Sequence, residues 1–255
     1  MNEILASAAN LEDLKSIFSC GVDSAYVGLK GFCRHNEQAV TLEVMSGMLD
    51  FTEKFPNKKM YAAINRVPSF RQVKDFNKAL DSLIEIGIHG VIINDPGLIS
   101  MAKSRHPGIF IMSSVGIAPL NLEEEKYLYG CGADRVLLAD CISDSQIKQA
   151  YSGCKAQIEV MASGVKCFIL MGKCIVSSYY YQKFENKSPI FGSAKRGGCG
   201  IPCGQDFHFK NRKVDISPEK FKRFSFPKGC VKAYKLSAKV DLRTIRQAVR
   251  KFHLL

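Results

Sequence analysis

The sequence predicts an α/β protein folded as a (β/α)8 TIM-like barrel, with a long cysteine-rich insertion between its seventh and eighth strands. Three observations predict it. A phrase made of a helical stretch, a glycine stop and a short β-prone run recurs along the chain. The strongest β-prone runs, such as Val91-Ile92-Ile93 and Val136-Leu137-Leu138-Ala139, are apolar without alternation, as expected of strands buried on both faces. Eight β-prone runs fit into 255 residues, the size of a barrel. None is followed by the Gly-x-Gly-x-x-Gly turn of an open dinucleotide-binding sheet.

The first strand is predicted over Glu3–Ser7. The repeat then reads Gly21-Val22-Asp23-Ser24-Ala25-Tyr26-Val27-Gly28 for the second strand, and Lys59–Asn65 supplies the third. It returns as Gly87-Ile88-His89-Gly90-Val91-Ile92-Ile93-Asn94, followed by Ile109–Ser113 and by Gly132-Ala133-Asp134-Arg135-Val136-Leu137-Leu138-Ala139. Weaker copies run from Gly153 to Met161 and from Gly229 to Leu236. Glycine supplies the left-handed residue that stops a helix before each strand. Helices are expected near 10–20, 40–55, 70–86, 96–105, 121–131 and 143–152, with a last one near 241–252. Leu11, Leu14, Ile17 and Phe18 recur at helical intervals, as do Val73, Phe76, Leu80, Leu83 and Ile84. The chain is expected to form a single barrel domain over 1–255, carrying a basic insertion over 164–230 on the C-terminal face, where barrel enzymes build their sites.

With 46% hydrophobic and 24% charged residues, wholesale disorder is excluded. The longest uncharged run, Pro107–Leu122, is too short and too broken by Pro, Gly and Asn to be a membrane span. Met1-Asn2-Glu3-Ile4-Leu5 lacks the basic start and apolar stretch of a signal peptide, so a cytoplasmic location is expected. The net charge of +12 is uneven: residues 164–255 carry 20 basic and 5 acidic side chains, against 16 and 19 in residues 1–163. The last third is thus suited to an anionic partner such as RNA, an acidic protein or a small carboxylate substrate.

Ten cysteines in a cytoplasmic protein point to metal ligands or reactive thiols rather than disulfides. The insertion holds Cys167 and Cys174, then Cys199 and Cys203, each pair embedded among glycines. Four such thiolates suit an iron–sulfur cluster or structural zinc. Cys33 follows the second strand on the catalytic side, within reach of such a centre, and Cys230 is a further candidate. Cys20, Cys131, Cys141 and Cys154 read as small buried residues.

From Ala6-Ser7-Ala8-Ala9-Asn10-Leu11 through Ala25-Tyr26-Val27-Gly28, Asn94-Asp95-Pro96-Gly97 and the cysteine segment, the chain resembles the collagenase-like peptidases of family U32. The most specific part runs from Glu159 to Gly164, then Cys167, Gly172-Lys173-Cys174, Ser177-Ser178, Cys199 and Pro202-Cys203. The resemblance implies a barrel holding a 4Fe–4S cluster and oxygen-independent hydroxylation of an aromatic ring or RNA base, for some members with prephenate as the oxygen source. It implies Cys174, Cys199 and Cys203 as ligands, with Cys167, Cys33 or Cys230 as the fourth, and zinc as the alternative metal. It also implies a related subunit in a heterodimer, or a homodimer. The chain departs from the family at Ser163, Lys166 and Ile201. It departs again at Leu236-Ser237-Ala238-Lys239, where the family carries a polar Glu-Gly-Arg-like cluster. That last departure favours, as alternatives, a non-catalytic metal-binding subunit docking RNA or a partner chain, or a peptidase.

Tyr26, Asn65, Asn94, Asp95, Ser113 and Asp140 fall near predicted strand ends at the barrel mouth. Asp95 and Asp140 are acid–base or substrate-binding candidates; equally, Asp95-Pro96-Gly97 reads as a helix cap and Asp140 as a turn. Ser178-Tyr179-Tyr180-Tyr181 could stack bases or pack under the insertion, and Lys195-Arg196-Gly197-Gly198 could hold an anion. No His-Glu-x-x-His or Gly-x-Ser-x-Gly protease motif is present.

Overall fold

The computed structural model describes residues 3–34, 38–161, 209–211 and 214–216. Strands and helices alternate: β1 (Leu5–Ser7), α1 (Leu11–Ser19), β2 (Ser24–Gly28), α2 (Leu42–Glu53), β3 (Lys59–Ala63), α3 (Val73–Glu85), β4 (Val91–Ile93), α4 (Pro96–Arg105), β5 (Ile111–Ser113), α5 (Leu122–Gly130), β6 (Arg135–Leu137), α6 (Asp144–Gly153) and β7 (Gln157–Glu159). A short 3-10 turn, Phe70–Gln72, leads into α3. Each predicted strand and helix up to residue 161 is present, with the strands shorter than their apolar runs. Within the predicted insertion, β8 (Phe209–Asn211) and β9 (Val214–Ile216) form an antiparallel pair. The predicted eighth barrel strand over 231–236 and the helix near 241–252 lie outside the described residues.

Local chemistry fixes the helix ends. Asn10, Thr41, Asp95, Asn121 and Ser143 each accept a hydrogen bond from a first-turn backbone N–H, at 2.8–3.4 Å. Gln146 completes a capping box by accepting from the Ser143 N–H at 2.9 Å. At the other end, Gly87 (φ +80°) and Gly132 (φ +106°) turn the chain out of α3 and α5 in the left-handed region that glycine occupies without strain.

All seven strands are parallel and lie in the order β1-β2-β3-β4-β5-β6-β7. A doubly wound sheet would reverse its order at a switch point; this one never does. The sheet also curls. Adjacent strands lie about 4.8 Å apart, so β1 and β6 would stand roughly 24 Å apart in a flat sheet. Instead, Glu3, just before β1, meets Arg135, the first residue of β6, at 2.6 Å. The result is a TIM-like parallel sheet with a convex and a concave face.

Alternation along each strand separates the two faces. Met60 and Ala62 join Ala25, Val27, Val91, Ile93 and Val136 in the outer core, packed against Leu14, Met48, Phe76, Leu80 and Ile99 from the helices. Tyr61 and Ala63 face the concave side, where they pack with Ile92, Met112 and Cys33, flanked by Leu5, Tyr26 and Phe110.

Candidate functional site at the barrel mouth

The concave face is not wholly apolar. Arg135, its side chain only 8% exposed, donates to Glu3 at 2.6 and 3.3 Å and to Gln157 Oε1 at 2.8 and 3.0 Å. Its guanidinium lies over the rings of Phe110 and Tyr61, at 5.2 and 5.7 Å from their centroids. Glu3 also accepts from Ser24 Oγ at 2.6 Å and from the Tyr61 hydroxyl at 3.0 Å. Burial pulls the Glu3 carboxyl upward, but these hydrogen bonds and the Arg135 charge outweigh it and hold the group below the usual carboxylate range. Burial, with the Glu3 charge beside it, pushes the Tyr61 phenol up.

Glu159 closes β7 and is the second carboxylate on this face. Its Oε2 stands 3.8 Å from Arg135 Nη1, and that buried oxygen has no hydrogen-bond partner among the described residues. One guanidinium therefore faces two carboxylates, and Glu3 holds it. Burial first, and the Glu3 charge after it, raise Glu159 to about 7 against the partial opposition of Arg135. Near neutral pH this carboxyl exchanges a proton, the property a general acid–base group needs.

Nearer the C-terminal ends of the strands, a set of neutral polar side chains converges. Asn65 Oδ1 accepts from the Arg34 N–H at 3.0 Å, and Asn65 Nδ2 donates to Ser114 Oγ at 3.2 Å. Asn94 presents a buried Oδ1 with no hydrogen-bond partner among the described residues, and the backbone of Gly116 presses against that amide so closely that a Cβ there would clash. Tyr26 packs against the inner apolar cluster, while Asn65 and Asn94 both border the segment over 114–116.

Two other expected site residues, Asp95 and Ser113, are engaged by neighbouring backbone. Asp95 Oδ1 accepts from the Leu98 N–H at 2.8 Å and caps α4. Ser113 is buried and its Oγ accepts from the Leu137 N–H at 3.1 Å. The hydroxyl bonded to the mouth amide belongs to Ser114, because successive strand residues point to opposite faces. Asp140 is half-buried in the loop leading to α6. His89 and His106 serve locally, at the Met60 N–H and at Asp81.

Of the nominated ligands, Cys33 alone lies among the described residues; Cys167, Cys174, Cys199, Cys203 and Cys230 lie outside them. Cys33 is 3% exposed and sits in the concave-face cluster. Arg66 stands within electrostatic reach of it and donates to the Gly31 carbonyl at 2.9 Å. Among the described residues no three His, Cys, Asp or Glu side chains group to hold a metal, and no cysteine pair forms a disulfide. The expectation that four other cysteines are buried needs correcting. Cys20 and Cys141 are exposed and Cys131 and Cys154 half-buried; Cys20, Cys131 and Cys154 are helix C-caps, where side chains meet solvent.

Arg135, Glu3 and Tyr61 belong to no site motif in the sequence, and Glu159 stands there only at the start of the signature segment. A charge inside an apolar run such as Ala133-Asp134-Arg135-Val136-Leu137 was the available signal. In a strand buried on both faces it must seek a partner within the barrel.

The family model of peptidase family U32 matches residues 9–250. The chain belongs to that family. Among curated U32-type relatives, "tRNA hydroxylation protein P" of Helicobacter pylori is 29% identical over 84% of this chain and 49% of its own length. The "23S rRNA 5-hydroxycytidine C2501 synthase" of Escherichia coli is 21% identical over 82% of this chain and 30% of its own. A "Collagenase" of Porphyromonas gingivalis is 24% identical over 82% and 51%. The chain therefore spans about half, or less, of the length of these relatives. Among solved structures, the U32 peptidase Mk0906 superposes with a TM-score of 0.56 over 65% of this chain and 70% of its own, at 12% identity, a likeness of fold. No helix among the described residues is long and apolar enough to cross a membrane.

Proposed function

We propose that this U32 chain takes part in oxygen-independent hydroxylation of a nucleobase in RNA, alone or with a related subunit. The observation that carries the reading is its similarity, over 84% of its length, to a protein named for tRNA hydroxylation. The mouth supports it in kind. Asn65, Asn94 and Ser114 offer neutral donors and acceptors of the sort that read the edge of a heterocycle. Below them, Glu159 Oε2 can hold or release a proton near neutral pH without a competing hydrogen bond.

The thiolates of Cys174, Cys199 and Cys203, with Cys167 or Cys33 as the fourth, would hold a 4Fe–4S cluster, zinc being the alternative. When bound, such a cluster supplies electron transfer or an open binding position. The protein's own share is to orient the base through Asn65 and Asn94, exclude water with Tyr26 and the inner apolar cluster, and manage a proton at Glu159. Residues 231–236 would close the barrel as its eighth strand.

Nucleoside mass spectrometry tests the reading. RNA from cells lacking the gene should lose a pyrimidine nucleoside carrying one added oxygen, and complementation with the whole gene should restore it. An unchanged nucleoside profile would overturn the proposal.

A further inference from the structure

On the same face, one large apolar side chain stands out among the described residues. Phe70 is 95% exposed, far more than any other large apolar residue described. It lies in the loop between β3 and α3, on the side of the barrel to which the strand C-termini point. The loop around it is firmly built. Gln72 N–H donates to the Ser69 carbonyl at 2.8 Å, and Gln72 Oε1 accepts from the Ser69 N–H and Oγ at 3.1 and 3.0 Å. This turn holds the ring away from the core. The loop is also tied to its neighbour, the one after β2: Arg66 N–H donates to the Phe32 carbonyl at 2.9 Å, and Arg34 N–H reaches Asn65 at 3.0 Å.

The sequence of these two loops is mainly basic. Over residues 29–41 and 64–72 the sequence carries Lys30, Arg34, Arg66 and Arg71 against the single acid Glu37. Lys30 and Arg71 are exposed, and Arg71 directly follows the ring. A bare aromatic face beside cations, held out from a firm turn, is the arrangement that binds single-stranded nucleic acid, because every base has a π-face and every nucleotide a phosphate. A protein-docking patch would need a wider apolar surface than one ring.

We propose that Phe70 is a stacking platform for a base of the RNA substrate, flanking the base that enters the mouth, with Arg71 meeting the adjoining phosphate. This rests on the RNA reading above and adds where the strand runs: across the joined loops after β2 and β3.

The chain contains no tryptophan, so Phe70→Trp installs a single indole at the proposed contact. The full chain, prepared without oxygen, is titrated with tRNA and with a short unstructured oligoribonucleotide. Phe70→Trp should keep wild-type affinity, and its emission should be quenched on binding. Phe70→Ala should weaken binding about ten-fold, within the range for a lost stacking aromatic, with the salt dependence unchanged. Arg71→Ala should lower the slope of log affinity against log salt by about one. If wild-type protein binds RNA but Phe70→Ala binds as tightly, or the indole emission does not change, the stacking proposal fails while the RNA reading stands. If the wild-type chain binds neither RNA, both fail.

Discussion

Glu159 is the carboxyl that the fold pushes up into the neutral range. Burial of its carboxyl, with the Glu3 charge nearby, outweighs the attraction of Arg135, so folding favours its protonated form. The sign of the consequence follows. Between the unfolded carboxylate value near 4.5 and the folded value of about 7, the native state holds more protons than the unfolded one. Stability from this group is therefore lost as pH rises through that window and levels off above it. At 22% side-chain exposure the penalty is on the order of 2–3 kcal/mol. Glu159→Gln keeps the shape and removes the titration. Denaturant midpoints at about pH 5 and about pH 8 should show the variant gaining on wild type at the higher pH. A constant difference at both would contradict the buried-proton assignment.

At the scale of the element, Asp95 illustrates how a helix start can imitate a catalytic acid. It stands at a strand end on the active side of a barrel, yet its Oδ1 is occupied by the Leu98 N–H as α4 begins. Asparagine caps nearly as well as aspartate and alanine does not. Asp95→Ala should cost about 1 kcal/mol of stability, while Asp95→Asn should match wild type in both stability and RNA hydroxylation. Loss of hydroxylation in a fully stable Asp95→Asn protein would return Asp95 to the list of reacting groups. Ser113 and Ser114 teach the same lesson for strands: a shift of one residue carries a hydroxyl from the mouth to a neighbouring backbone N–H.

For the whole molecule, sequence and structure agree where the repeat is strong. Glycine stops such as Gly21, Gly87 and Gly132 are punctuation that a parallel sheet cannot hide, and they locate the β1–β7 order and the helices between. The concave-face network was not legible, because Glu3 and Arg135 are 132 residues apart along the chain and meet through the curl of the sheet, while Glu159 joins them through the pairing of β7 with β6. Composition alone misplaces Cys20 and Cys141, because thiols usually bury while local position decides here, as at the exposed α1 C-cap Cys20. The cysteine constellation makes its own prediction for the intact protein. Oxygen-free preparations should contain about four iron and four sulfide per chain, with broad absorption in the manner of 4Fe–4S centres. Cys174→Ala should lose both, and Cys33→Ala and Cys167→Ala compared side by side should identify the fourth ligand. A colourless protein with stoichiometric zinc would contradict the cluster.

The claim that joins these scales is the proposal that an RNA base is read at the mouth by the amides of Asn65 and Asn94, which follow β3 and β4. Asn94→Ala is its most direct probe, since Asn94 Oδ1 is buried there with no hydrogen-bond partner among the described residues. In cells complemented with this variant, hydroxylated nucleoside should fall by about ten-fold or more, the cost of removing a group from a site built to read a hydrogen bond, with protein level and iron content unchanged. Wild-type hydroxylation by Asn94→Ala would contradict the account.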